Sequence, residues 1–128
     1  MSEKIISKTI KVEEENLACA MGSGSLMVLA TPAVVALMEN AAAELAQNEL
    51  ANDELTTVGT MIAIDHTSPT PLGADVTATA KLVETDGRTF QFEVWAEDKK
   101  GIISKGKHTR VSVKAEKFQK KADGKFDE

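Results

Sequence analysis

The most restrictive stretch of this chain runs from Thr31 to somewhere within Asn48–Asp53, where apolar residues recur at helical spacing and alanines fill much of the circumference. Val34, Leu37, Met38, Ala41 and Leu45 make one apolar stripe. The opposite side carries Ala36, Asn40, Ala43 and Gln47, which are small rather than strongly charged. A helix with so little polar surface must be covered on more than one side. Thr31 suits the N-cap, and Pro32 suits the first helical position, where its missing N–H costs nothing.

Strand signals surround this helix. Ile5 to Val12 alternates in part, and Cys19 to Ser25, with Gly22 and Gly24, reads as a loop. After the helix come Thr57–His66, then Val76–Leu82 with apolar even positions, then Phe90–Val94, then Ile102–Val113. Pro69, Pro71 and Gly73, then Asp86-Gly87, then Lys99-Lys100-Gly101 mark the turns between them. Strand, long helix and four hairpin-connected strands predict an α+β domain whose curved antiparallel β-sheet wraps around one long central helix.

Length and charge narrow the function. At roughly 100–200 residues per domain, 128 residues make a single domain, expected over residues 1–118, with a flexible charged tail over 119–128. Lys and Arg number 15 against 20 Asp and Glu, a net charge of -5, with 4% aromatic residues, which argues against nucleic acid as a partner. One cysteine excludes an internal disulfide, and two histidines leave little for a metal centre. No phosphate loop or dinucleotide fingerprint occurs, because Gly22-Ser23-Gly24 lacks both the third glycine and the strand–helix setting. No metal and no cofactor are therefore expected. Thr31-Pro32 separates the longest apolar runs, which fall short of the ~20 residues that cross a bilayer. No membrane association is expected, and lone Cys19 fits the cytoplasm.

Three side chains are candidates for chemistry. Glu39 lies about 110° around the helix from the centre of the apolar stripe, at the border between buried and open. An isolated helix glutamate is ordinarily solvated, but partial desolvation there would make it a better base. His66 ends a β-rich segment and shares strand parity with Val58, Ile62 and Ile64, so it is expected on the apolar side. His108 shares parity with Gly106, Arg110 and Ser112 and is expected on a polar outer face, where Arg110 could meet an anionic ligand.

Taken together, the segment Leu29-Ala30-Thr31-Pro32-Ala33-Val34-Val35-Ala36-Leu37-Met38-Glu39-Asn40-Ala41-Ala42 resembles the central-helix motif of hotdog-fold thioesterases of the fluoroacetyl-CoA thioesterase type. Val58-Gly59-Thr60 through Asp65-His66, with Thr70-Pro71-Leu72-Gly73, resembles the second motif of that family, and Gly106-Lys107-His108-Thr109-Arg110-Val111 its last strand. The resemblance covers roughly residues 5–118.

It implies a hotdog fold and hydrolysis of a short or modest acyl-CoA thioester to free acid and CoA. It also implies a homodimer or a tetramer built from such dimers, with acyl-CoA bound at the dimer interface. Carried over residue by residue, it assigns catalysis to Thr31, Glu39 and His66 and places Gly59 beside the substrate. Glu39 would attack the thioester carbonyl or activate water, Thr31 would orient groups or act as nucleophile, and His66 would move protons. In the fluoroacetyl-specific enzyme, phenylalanines ahead of the helix gate the pocket. Here Cys19 to Met27 holds no aromatic residue, which implies a different or broader acyl group. A non-catalytic acyl-CoA-binding dimer on the same fold is the alternative. A hydratase is disfavoured, since Asp65 and His66 are strand neighbours facing opposite sides.

Overall fold

The computed structural model describes residues 3–127. Strand β1 (Ile5–Lys11) leads through a single 3-10 turn (Glu14–Asn16) and a short helix α1 (Ala18–Met21) to the long helix α2 (Thr31–Leu50). Four strands follow, β2 (Leu55–His66), β3 (Asp75–Thr85), β4 (Thr89–Asp98) and β5 (Gly101–Lys114), and then helix α3 (Ala115–Asp123). The strands form one antiparallel sheet in the order β1-β3-β4-β5-β2. Both β1 and β2 are edge strands among the described residues.

α2 lies against this sheet. Its buried residues Ala33, Val34, Leu37, Met38, Ala41, Ala42, Leu45 and Ala46 face Val76, Ala78 and Ala80 of β3 and Phe90, Phe92, Val94 and Ala96 of β4 in one continuous core. Alanines on both sides let the backbones approach closely, and Phe90 and Phe92 are the largest side chains in this core. Around α2 the burial repeats with a four-residue rhythm. Thr31, Val35, Glu39, Ala43 and Gln47 fall on one i, i+4 row, and all but Thr31 are half-buried. That row runs along β2: Thr31 is bonded to His66, Glu39 lies beside Gly59, and the Gln47 side chain donates to the Leu55 carbonyl at 3.0 Å.

The local readings need four corrections. Ala30, not Thr31, is the N-cap of α2, and no side chain caps that end; Thr31 is the first helical residue, which frees its hydroxyl for a tertiary bond. The expected loop after Cys19 begins with α1, whose C-cap Gly22 takes the left-handed conformation (φ 75°) before the turn. The charged stretch expected as a tail is helical through Asp123, although α3 buries no residue. β2 also contains a bulge between Gly59 and Met61. The extra residue, Thr60, reverses the alternation, so Thr57 and Gly59 face α2 together with Ile62, Ile64 and His66. Val58 therefore does not share a face with His66.

β5 meets β2 most closely at Gly106. A Cβ there would fall 2.0 Å from the Ala63 carbonyl oxygen and 2.7 Å from Ile64 Cα, so the two backbones pack where no side chain fits. Gly106→Ala is expected to lower unfolding free energy by about 2–3 kcal/mol, typical of overpacking a tight site. Denaturant unfolding measures this, and a loss within experimental scatter would show that β2 yields easily.

Candidate active site

The inner face of the β2–β5 half of the sheet is polar, in contrast to the alanine and phenylalanine face beside it. Ser104, His108 and Arg110 of β5 are all buried, at 1%, 1% and 8% exposure. This overturns the expectation of a polar outer face. The outward side of β5 is marked instead by exposed Lys105 and Lys107, and two lysines one strand period apart were the available signal.

A hydrogen-bond chain holds this inward polar set. Arg110 donates from Nε to Thr57 Oγ1 at 2.8 Å and from Nη2 to the Thr57 carbonyl at 2.9 Å. His108 Nδ1 lies 2.8 Å from the Met61 carbonyl, which can only accept, so this nitrogen carries the proton. His108 Nε2 is then free to accept from Arg110 Nη1 at 3.3 Å. The Phe92 ring stacks on the His108 ring at a centroid distance of 6.0 Å. Burial is the main cause that pulls His108 below its ordinary pKa, and the adjacent Arg110 charge adds to it, while the Met61 bond and the Glu39 charge oppose. Burial likewise lowers Arg110, with Glu39 opposing.

Gly59 sits at the centre of these groups. A Cβ on Gly59 would come within 3.1 Å of Glu39 Oε2, 3.1 Å of His108 Cε1 and 3.4 Å of Arg110 Nη1. The missing side chain thus opens the space where the Glu39 carboxylate reaches the sheet. Arg110, expected to meet an anionic ligand, is turned inward, with two of its nitrogens engaged by Thr57 and a third facing His108.

The second cluster lies at the other end of the row. Thr31 Oγ1 is 2.8 Å from His66 Nδ1. His66 Nε2 is buried and has no hydrogen-bond partner among the described residues. Desolvation lowers the His66 pKa, and the neighbouring Ser68 backbone works against it. Both side chains line a cavity of about 310 Å3 whose walls include Leu29, Ala30, Ser68 and Pro69. The structure therefore brings Thr31 to His66 and Glu39 to Gly59, and it does not bring the two pairs together within one chain. Thr31 and Glu39 are separated by eight helical residues, about 12 Å along the axis.

Both histidines titrate below the ordinary value of 6.5 in the folded chain, so the unfolded chain takes up these protons first as pH falls. Their contribution to stability is present above 6.5 and is lost as the pH drops below it toward the folded values. Imidazole proton resonances followed from pH 8 to pH 4.5 are expected to show both midpoints under 6.5; a His108 midpoint at or above that value would contradict its burial beside Arg110.

Comparison with known proteins adds a second line of observation. The sequence model of a family described as fluoroacetyl-CoA-specific thioesterase matches residues 12–116. A fluoroacetyl-CoA thioesterase from Streptantibioticus cattleyicolor is 38% identical over 94 residues, covering 73% of this chain and 67% of the relative. Among solved structures, a fluoroacetyl-CoA thioesterase superimposes with a TM-score of 0.88 at 28% identity, over 98% of this chain and 96% of that one. A threonine-to-serine mutant of that enzyme in complex with acetyl-CoA gives 0.90 at 28% identity over 98% of each chain. A hot-dog-like protein from Thermanaerovibrio acidaminovorans gives 0.87 at 21% identity, over 98% and 93%, which reflects the fold.

Proposed function

The chain belongs to the fluoroacetyl-CoA-specific thioesterase family, and on that premise we propose that it hydrolyses short acyl-CoA thioesters with Thr31, Glu39 and His66. It is a thioester hydrolase of hotdog fold. The observation that carries the assignment of residues is the 2.8 Å contact of Thr31 with His66 at a cavity that both residues line, with the second imidazole nitrogen left without a partner among the described residues.

The working site is shared between two chains. Thr31 and Glu39 lie two helical turns apart on one row, too far for both to act on one carbonyl. β2 is a twelve-residue edge strand, and Met61, Ala63 and Asp65 on its outer side are exposed. Antiparallel pairing of two β2 strands about a two-fold axis midway between Gly59 and His66 sets the Thr31–His66 pair of one protomer near Glu39 and Gly59 of its partner. This supports a homodimer with acyl-CoA at the interface.

In the reaction, the Glu39 carboxylate acts on the thioester carbonyl carbon, by direct attack or through a water it deprotonates. The C–S bond breaks, the acyl carbon gains the oxygen of water, and the departing thiolate takes a proton. That proton comes from the attacking water through Glu39, while His66 steadies the departing sulfur with a hydrogen bond from Nε2, its Nδ1 accepting from the Thr31 hydroxyl. Arg110 and His108, pinned by Thr57 and the Met61 carbonyl, hold a cation beside the Gly59 gap that Glu39 reaches.

The acyl pocket is broader than a fluoroacetyl pocket. The segment ahead of α2 carries exposed Met21, Leu26 and Met27 and no aromatic ring, so it offers flexible apolar contact in place of a rigid gate. Exposed, unpaired Cys19 fits a reducing compartment, and we place the reaction in the cytoplasm, where CoA esters form.

Glu39→Gln and His66→Ala are each expected to lower kcat by roughly 100-fold or more on an acyl-CoA panel read by thiol release, with little change in fold. The shared site has a sharper test. Mixed dimers made from Thr31→Ala and Glu39→Gln chains regain one intact site, although each homodimer is inactive. Mixed dimers as inactive as their parents would place the whole site within a single chain.

A further inference from the structure

The inward turn of Arg110 leaves an anionic thioester without the cation expected to meet it, so the remaining basic residues become informative. Four of the 15 basic residues are in ion pairs among the described residues, Lys4 with Glu49, Lys8 with Glu44, Lys81 with Glu3 and Lys120 with Glu116. One groove gathers four of the others. Arg88 from the β3–β4 turn, Lys114 at the end of β5 and Lys117 and Lys121 on α3 line a groove of about 370 Å3 with no carboxylate in its lining. None of the four forms an ion pair among the described residues. Asp86, the nearest acid on the turn, accepts from the Arg88 and Thr89 backbone N–H groups at 2.9 and 2.8 Å, and is thereby tied to the turn.

The elements that carry these side chains are fixed to one another through the backbone. Ser112 N–H donates to the Arg88 carbonyl at 2.8 Å and clamps the turn to β5; Ala115 N–H donates to the Glu54 carbonyl at 3.0 Å and fixes the start of α3. Lys117 and Lys121 are one helical turn apart and so share a face. Leu55 and Phe118 give the groove an apolar side, and the Phe118 ring is 44% exposed. Such a ring beside four cations suits a ligand that combines phosphates with a flat aromatic base. An ordinary solvated helix face would intersperse both signs, and the other side of α3 does so with Glu116 and Lys120. Four like charges lining one groove repel one another, and an anion bound among them relieves that repulsion.

Position completes the argument. Along β5 the order is Arg110, Ser112, Lys114, and four strand residues span about 13 Å from the Arg110–Glu39 cluster to the groove. An extended pantetheine arm covers that gap. We propose that this groove binds the phosphorylated nucleotide end of the CoA thioester, with Arg88, Lys114, Lys117 and Lys121 holding the phosphates and Phe118 packing on the adenine. The proposal rests on the thioesterase reading above.

The test compares the native protein with a Lys117→Glu/Lys121→Glu double variant on two thioesters of the same acyl group, one of CoA and one of N-acetylcysteamine, which lacks the nucleotide. For the CoA ester KM is expected to rise about tenfold with kcat nearly constant, and the N-acetylcysteamine ester is unaffected. Equal effects on both esters, or on neither, would overturn the groove. Calorimetric titration with CoA itself separates the two readings. If the native protein hydrolyses neither ester yet binds CoA in a manner the double variant abolishes, the groove stands and the hydrolase assignment falls. CoA binding that is absent, or indifferent to the charge reversal, removes the groove.

Discussion

The close approach of α2 to its sheet is the constraint on which the rest of this molecule depends. Ala41, Ala42 and Ala46 on the helix and Ala78, Ala80 and Ala96 on the sheet are fully buried, so the two backbones pack with little between them. That proximity is what allows short side chains to span from helix to strand. Thr31 reaches His66, Gln47 reaches the Leu55 carbonyl, and Glu39 reaches the gap over Gly59. Larger residues in the core would push the helix away and leave these groups without contact. The apolar packing and the polar chemistry are thus one arrangement read on two sides of the same helix.

The polar side shows how a carboxylate can be kept useful in a half-buried place. Arg110 lies beside the Gly59 gap and is fixed by Thr57 rather than by Glu39, so the carboxylate is left available. His108 closes the set as a neutral acceptor, its proton directed at Met61. The hydrogen bonds that fix Arg110 and His108 leave Glu39 out, so the polar set keeps its geometry independently of the carboxylate.

Much of this could be read from the sequence, and what could not has identifiable causes. The helix over Thr31–Leu50 was legible because its apolar spacing is sustained and Pro32 marks its start; the antiparallel sheet was legible from Asp86-Gly87 and Lys100-Gly101. The half-buried place of Glu39 followed from helical angle alone. The N-cap was misassigned because Thr31 is as good a cap as a tertiary partner, and only His66, 35 residues away, decides between them. The inward placement of His108 and Arg110 was hidden by their polarity, which normally marks a surface. The Thr31–Glu39 separation was present in the numbering, but its meaning depends on β2 being an edge, and strand order cannot be read from one segment.

The bulge at Thr60 acts as a phase shifter between the two halves of β2. The half that carries Thr57 and Gly59 and the half that carries His66 each keep a regular alternation, yet one added residue brings both into step toward α2. Removing that residue would leave the Gly59 gap in place and turn the imidazole to the outer side of the sheet. The two ends of the strand can therefore diverge separately, one end adjusting the gap beside Glu39 and the other the place of the His66 imidazole, provided the count between them is kept. In a lineage built on this fold, single-residue insertions in β2 would do more to create or silence a hydrolase than substitutions at many exposed positions.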